Sequence, residues 1–126
     1  MQSVTITHVV QLVIVALTVA VGQVLLKYGA GLVPPINSVA GAIKLFAQPV
    51  IIGALALYGF GAILWIVTLQ HVPLTIAYPF IALSFALTPL AAIIVLHEPV
   101  DSRYFVGIAL ILSGIYLASA PRSPIL

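Results

Sequence analysis

The sequence predicts an all-α membrane protein of four transmembrane helices with no soluble domain, and three observations carry that prediction. Of its 126 residues, 63% are hydrophobic and only 5% are charged; a soluble domain carries about a quarter charged residues. The apolar residues fall into runs of about 20, the length that crosses ~30 Å of hydrocarbon at ~1.5 Å per residue. Short segments rich in proline and glycine, which also hold the charges, separate those runs. Mean hydropathy is +1.34. The first run is too long for a cleaved signal peptide, lacks a basic lead, and is followed by further spans, so it reads as a span itself. The whole chain, 1–126, reads as one membrane domain.

Span one covers about 5–26. It closes at Lys27-Tyr28-Gly29-Ala30-Gly31, where glycine permits a C-cap and the lysine can reach the interface. Pro34-Pro35 and then Asn37-Ser38 precede an apolar stretch holding Lys44, which predicts a short interfacial or re-entrant helix over 38–47. Pro49 suits the first position of span two, 49–69. The linker Gln70-His71-Val72-Pro73 is so short that spans two and three form an antiparallel hairpin. Span three, 74–96, contains Pro79 and Pro89, which predict a bent helix that lines a cavity or is kinked only by packing. Pro99 suits the first turn of the last helix, with span four at 104–120, ended by Pro121-Arg122-Ser123-Pro124. Tyr28, Tyr58, Trp65, Tyr104 and Tyr116 read as interfacial aromatics. Lys27, Lys44 and Arg103 flank loops one and three against Arg122 alone on the other face, which places loops one and three in the cytoplasm.

Polar groups in hydrocarbon are costly, so each needs a reason. Gln23 and Lys27 stand four apart on one helix face. Together they present an amide and a cation to an anionic headgroup, or Lys27 marks the membrane boundary while Gln23 bonds another helix. Gly53, Leu57, Gly61 and Trp65 form a stripe at steps of four; it is either a packing seam or a cavity wall with Trp65 as a platform for a sugar or isoprenoid. Tyr78 precedes Pro79 and is a candidate for substrate contact. Ser84 and Thr88 read as bonding back to their own helix. His97 and Glu98 could hold a proton or a cationic sugar, or Glu98 caps a helix. Gly107, Ile111, Gly114 and Ala118 lie along one face of span four as a small-residue dimer seam.

Some chemistries are excluded. With no cysteine there are no disulfides and no thiolate chemistry. The chain has two acids and a net charge of +2, too little for nucleic-acid binding. No metal-ligand cluster, catalytic triad or phosphate-binding glycine loop is visible, no cofactor is called for, and the expectation is that the chain is not an enzyme.

Val21-Gly22-Gln23-Val24-Leu25-Leu26-Lys27 resembles the end of helix one in the drug/metabolite transporter superfamily. Gln70-His71-Val72-Pro73-Leu74-Thr75-Ile76-Ala77-Tyr78-Pro79 resembles its helix two–three hairpin. The stretch from Gly107 through Gly114 to Ile115 is similar to the helix-four dimerisation motif of small multidrug resistance proteins. Within that superfamily, Gly22-Gln23 and His97-Glu98-Pro99-Val100 resemble the two small subunits of the 4-amino-4-deoxy-L-arabinose-phosphoundecaprenol flippase. The multidrug branch carries a membrane-embedded glutamate in helix one; the matching position here is Val19, and no acid occurs in any span.

The resemblance implies a four-helix bundle in the bacterial inner membrane, working as a homodimer or with a sister subunit. It implies a flippase for a polyprenyl-phosphate-linked aminosugar, such as aminoarabinose-phosphoundecaprenol, in lipid A modification. Gln23 and Lys27 would then attract the phosphate, while His97 and Glu98 meet the amine at the other end. The alternatives are a small multidrug resistance-type cation exporter and a non-transporting accessory subunit of a membrane glycosyltransferase.

Overall fold

The structure, a computed structural model, describes residues 4–119. These residues form α1 (Ile6–Ala30), α2 (Val39–Phe46), α3 (Pro49–Leu69), α4 (Leu74–Ala82), α5 (Ser84–Leu96) and α6 (Ser102–Ser119). Helices α1, α3, α4 with α5, and α6 supply four spans long and apolar enough to cross a membrane. The chain is an all-α, multi-pass membrane protein. Arg122 and the last position of the expected fourth span lie outside the described residues.

The tightest pairing is α1 against α3, and glycine explains it. A Cβ added to Gly22 would sit 2.8 Å from the Tyr58 ring, and one added to Gly61 would sit 2.8 Å from Thr18 Cγ2. Without a hydrophobic driving force between helices in lipid, such close approach is what supplies their attraction. The pairs run in opposite order: Gly29 beside Ile51, Gly22 beside Tyr58, Thr18 beside Gly61. Further along, Thr68 Oγ1 lies 3.3 Å from Gln11 Oε1. The His8 and His71 rings stack with centroids 5.5 Å apart. The two helices are therefore antiparallel, and loops one and three leave the bundle at the same end.

Helix α1 runs a turn beyond the end expected from the sequence. Gly29 does not stop it, because that glycine is used for packing on Ile51. The helix closes instead at Gly31, a right-handed residue (φ −74°, ψ −13°) whose N–H bonds back to the carbonyls of Lys27 and Tyr28. In loop one, Ser38 caps α2 by accepting from the Gly41 N–H at 3.2 Å. Val39, Ile43 and Phe46 lie on one side of α2 and are all exposed.

The third span is broken. Helix α4 tightens at its end, where the Leu83 N–H bonds to Phe80 O at 3.1 Å, and α5 restarts at Ser84. Pro79 and Pro89 each remove a backbone donor from the ladder on either side of that point. Ser84 Oγ donates to Ile81 O at 2.7 Å across the break, the back-bonding expected of a membrane serine. Helix α5 ends at His97, which is in the left-handed region (φ 54°, ψ 38°), where histidine is found more often than most side chains. Helix α6 starts at Ser102, so Pro99 lies before it and not in its first turn. Asp101 stands directly ahead of the helix, its carbonyl accepting from the Tyr104 N–H at 2.9 Å.

Candidate functional site

Beside the α1–α3 contact, where the aromatic residues of α3 and α4 face α1, lies a cavity of about 250 Å³. Its walls are Val15, Thr18 and Val19 from α1, Tyr58, Gly61, Ala62 and Trp65 from α3, and Tyr78 and Ile81 from α4. Trp65 meets Tyr78 edge-on, with ring centroids 6.3 Å apart and planes at 67°, the arrangement favoured by aromatic quadrupoles. Gly61 is one turn before Trp65, and its missing side chain is what brings this part of α3 onto Thr18. The Thr18 hydroxyl is already used, donating to Ile14 O at 2.8 Å. The Tyr58 hydroxyl donates to Val19 O through a long bond of 3.5 Å. The donors left for a guest are the Trp65 indole N–H and the Tyr78 hydroxyl. Aromatic faces with a few donors suit a sugar ring, and they attract an ammonium group as well.

A second cavity, about 350 Å³, lies on the other side of Val19. Val19 and Gln23 from α1 face Ser84, Phe85, Thr88 and Pro89 from α5. The third span thus lines both cavities, α4 the first and α5 the second. Lys27 is exposed one turn beyond Gln23 on the same face of α1. A third concave surface lies between α5 and α6, with Glu98, Asp101 and Arg103 at its charged end.

The site residues expected from the sequence fall into three groups. Trp65 and Tyr78 meet in the aromatic cavity. Gln23 lines the neighbouring cavity, with Lys27 beyond it. His97 forms the exposed turn that ends α5, and Glu98 lines the α5–α6 groove. The antiparallel order of the spans puts Lys27, His97 and Glu98 at one end of the bundle, not at opposite ends. Of the expected seam residues of α6, Gly107 and Ile111 line the groove beside α5, and an added Cβ on Gly107 or Gly114 would meet nothing within 4 Å.

Tyr58 is the contact that sequence reasoning misread. It is not interfacial: it lies midway along α3 with its ring on Gly22. Its position ten residues into a 21-residue helix is the signal that sets it at mid-membrane depth. Gln11 is the second such residue, since it reaches Thr68 across the helix pair.

A match of 64 residues at 45% identity links this chain to the probable 4-amino-4-deoxy-L-arabinose-phosphoundecaprenol flippase subunit ArnE of Escherichia coli strain K12 / DH10B. The chain is similar to flippase subunits. The same subunit from Escherichia coli O157:H7 and from Shigella boydii serotype 18 matches with equal identity and length. The match covers 51% of this chain and 58% of each relative, so the chain spans little more than half the length of the curated relatives. No family model matches the chain, and no solved structure matches it.

Proposed function

We propose that this chain is a transporter subunit, not an enzyme, and moves a polyprenyl-phosphate-linked aminosugar across the bacterial inner membrane. Aminoarabinose-phosphoundecaprenol is the named candidate, through the similarity to ArnE. The observation that carries the reading is the aromatic cavity beside Val19. Its walls can stack a sugar and hold an ammonium by cation–π attraction, yet no carboxylate is available in any span to bind and exchange a proton. A cation/proton antiporter needs such an acid; a flippase that lowers the barrier to headgroup crossing does not.

In this reading the headgroup passes between the cavity of Trp65 and Tyr78 and that of Gln23, while the prenyl tail stays in lipid. Lys27, at the mouth, draws the phosphodiester. Loops one and three face the cytoplasm, where Lys27, Lys44 and Arg103 gather. The cavity is open and not an enclosed chamber, so a second copy or a sister subunit completes the path by packing on α6 at Gly114 and Ala118, beyond the residues that line the α5–α6 groove. The test is reconstitution of the full chain, alone and with a sister subunit, in liposomes holding polyprenyl-phosphate aminosugar or its neutral-sugar analogue. The expected result is faster exposure of the aminosugar lipid at the far leaflet. Proton-driven ethidium uptake without lipid movement would establish the multidrug reading instead. Absence of both activities would favour an accessory subunit.

A further inference from the structure

The groove between α5 and α6 takes no part in the aromatic cavity, and its chemistry changes along its length. It encloses about 680 Å³. Its walls are apolar: Phe85, Pro89 and Ile93 on α5 face Gly107 and Ile111 on α6. Its loop-three end carries Glu98, Asp101 and Arg103, which are both of the chain's acids and one of its four cations. From Phe85 to Ile93 the wall runs ~12 Å, enough for the head-proximal part of a branched chain. Gly107 adds to the open space, since a Cβ there would touch nothing within 4 Å.

We propose that this groove is a docking site for the lipid substrate, separate from the aromatic cavity. The occupant is a prenyl phosphate whose headgroup bears an amine, so the inference rests on the flippase reading. Complementarity of both signs supports that occupant. Arg103 meets the phosphate with a charge-assisted pair, Glu98 and Asp101 meet the ammonium, and the first prenyl carbons lie between Pro89 and Gly107. A mouth of one sign would fit an ordinary anionic lipid; this one fits a headgroup with a cation next to its phosphate, and because phosphatidylethanolamine has such a headgroup too, its excess in the test vesicles is the competitor that the aminosugar lipid must outbind. The groove is open to lipid along its length, and its charged end lies at the membrane face that also carries Lys27. The lipid would therefore dock at α6 before its headgroup enters the bundle.

The test uses photo-crosslinking on the full chain in phosphatidylethanolamine/phosphatidylglycerol vesicles containing radiolabelled undecaprenyl phosphate carrying the aminosugar. A benzophenone amino acid replaces Ile93 in the groove or Leu117, which is 73% exposed on α6 outside it. Labelling from position 93 should exceed that from 117 severalfold, and Arg103→Gln should lower it about tenfold. Gly107→Leu, which fills the groove, should abolish it, whereas Gly114→Leu, outside the groove, should leave it unchanged. Equal labelling from the two positions, or crosslinks from position 93 to a second copy of the chain, would overturn the proposal. So would undiminished labelling in Gly107→Leu. The two readings fail separately: flipping without groove labelling removes the groove and keeps the transporter, while specific labelling without flipping keeps the lipid site and removes the transporter.

Discussion

Span one and span four are both long apolar helices, but the bundle treats them in opposite ways. Helix α1 buries seven residues, three of them polar or glycine, and sits against α3 at distances only glycine allows. Helix α6 buries Ile108 alone among the described residues, while Tyr116 and Leu117 stand more than 70% exposed. In lipid an exposed leucine costs nothing, so exposure alone does not signal a missing partner. Gly22 and Gly61 are spent on contacts, whereas a Cβ added to Gly107 or Gly114, as to Gly53 and Gly59 of α3, would meet nothing within 4 Å. The lesson is that the α1–α3 contact is the closed part of the molecule, and α6, the least buried of the four spans, is its open side.

The largest effect expected from breaking this contrast is on the closed side. Gly22→Leu would drive a branched side chain into the Tyr58 ring and force α1 from α3. The loss should be about 1–3 kcal/mol, seen as a fall in unfolding midpoint in detergent and in folded yield. Gly114→Leu should leave both measurements near wild type. Next in size is Lys27→Ala, which should lower lipid flipping about ten- to a hundredfold while expression and dimer yield hold. Lys27→Arg should keep part of the activity, because the charge survives while its geometry changes. If a lysine moved one turn outward restores Lys27→Ala fully, the residue is an anchor and not a phosphate ligand.

Four spans were legible in the sequence because span length is a local property: about 20 apolar residues announce a helix whatever it packs against. Pro49 and Ser38 were legible for the same reason, since a first-turn proline and a serine cap act within one turn. What a glycine is for was not legible. Of the two glycines read as permitting a cap, Gly31 does close α1, but Gly29 proved to be a contact with Ile51, a residue more than 20 positions away. Pro79 and Pro89 announced a bend, but the break at Leu83 lies between them, fixed by how Phe80, Ile81 and Ser84 share hydrogen bonds. Trp65 and Tyr78 could each be suspected from residue type, yet that they meet edge-on depends on the short loop after α3 and on α3 and α4 both packing against α1. Tyr58 was hidden because a tyrosine's depth depends on where its helix begins.

On the open side, Gly114→Leu should reduce crosslinked dimer severalfold, with little change in the stability of the single chain. Gly114 and Ala118 lie further along α6 than the residues that line the α5–α6 groove, so this substitution addresses the seam alone. Unchanged dimer yield would move the interface to another face of the bundle.

The smallest expected effect sharpens the account of the closed half. Thr68 is fully buried, and its hydroxyl lies 2.8 Å from Leu64 O and 3.3 Å from Gln11 Oε1. One proton serves two acceptors, and the shorter bond takes the larger share. The carbonyl of Leu64 also accepts within the helix ladder, so it loses little when the hydroxyl goes. The Gln11 amide has no such substitute in hydrocarbon. Thr68→Val keeps the shape and removes the donor; Gln11→Leu removes the acceptor. Membrane hydrogen bonds of this kind are worth about 0.6 kcal/mol on average, because the separated helices find other partners. A double-mutant cycle on unfolding free energy should therefore return a coupling of about that size, with Thr68→Val alone costing no more than ~1 kcal/mol. Were the coupling to exceed ~2 kcal/mol, the polar pair would rival the glycine contacts, and the view that close backbone approach holds α1 to α3 would have to be abandoned.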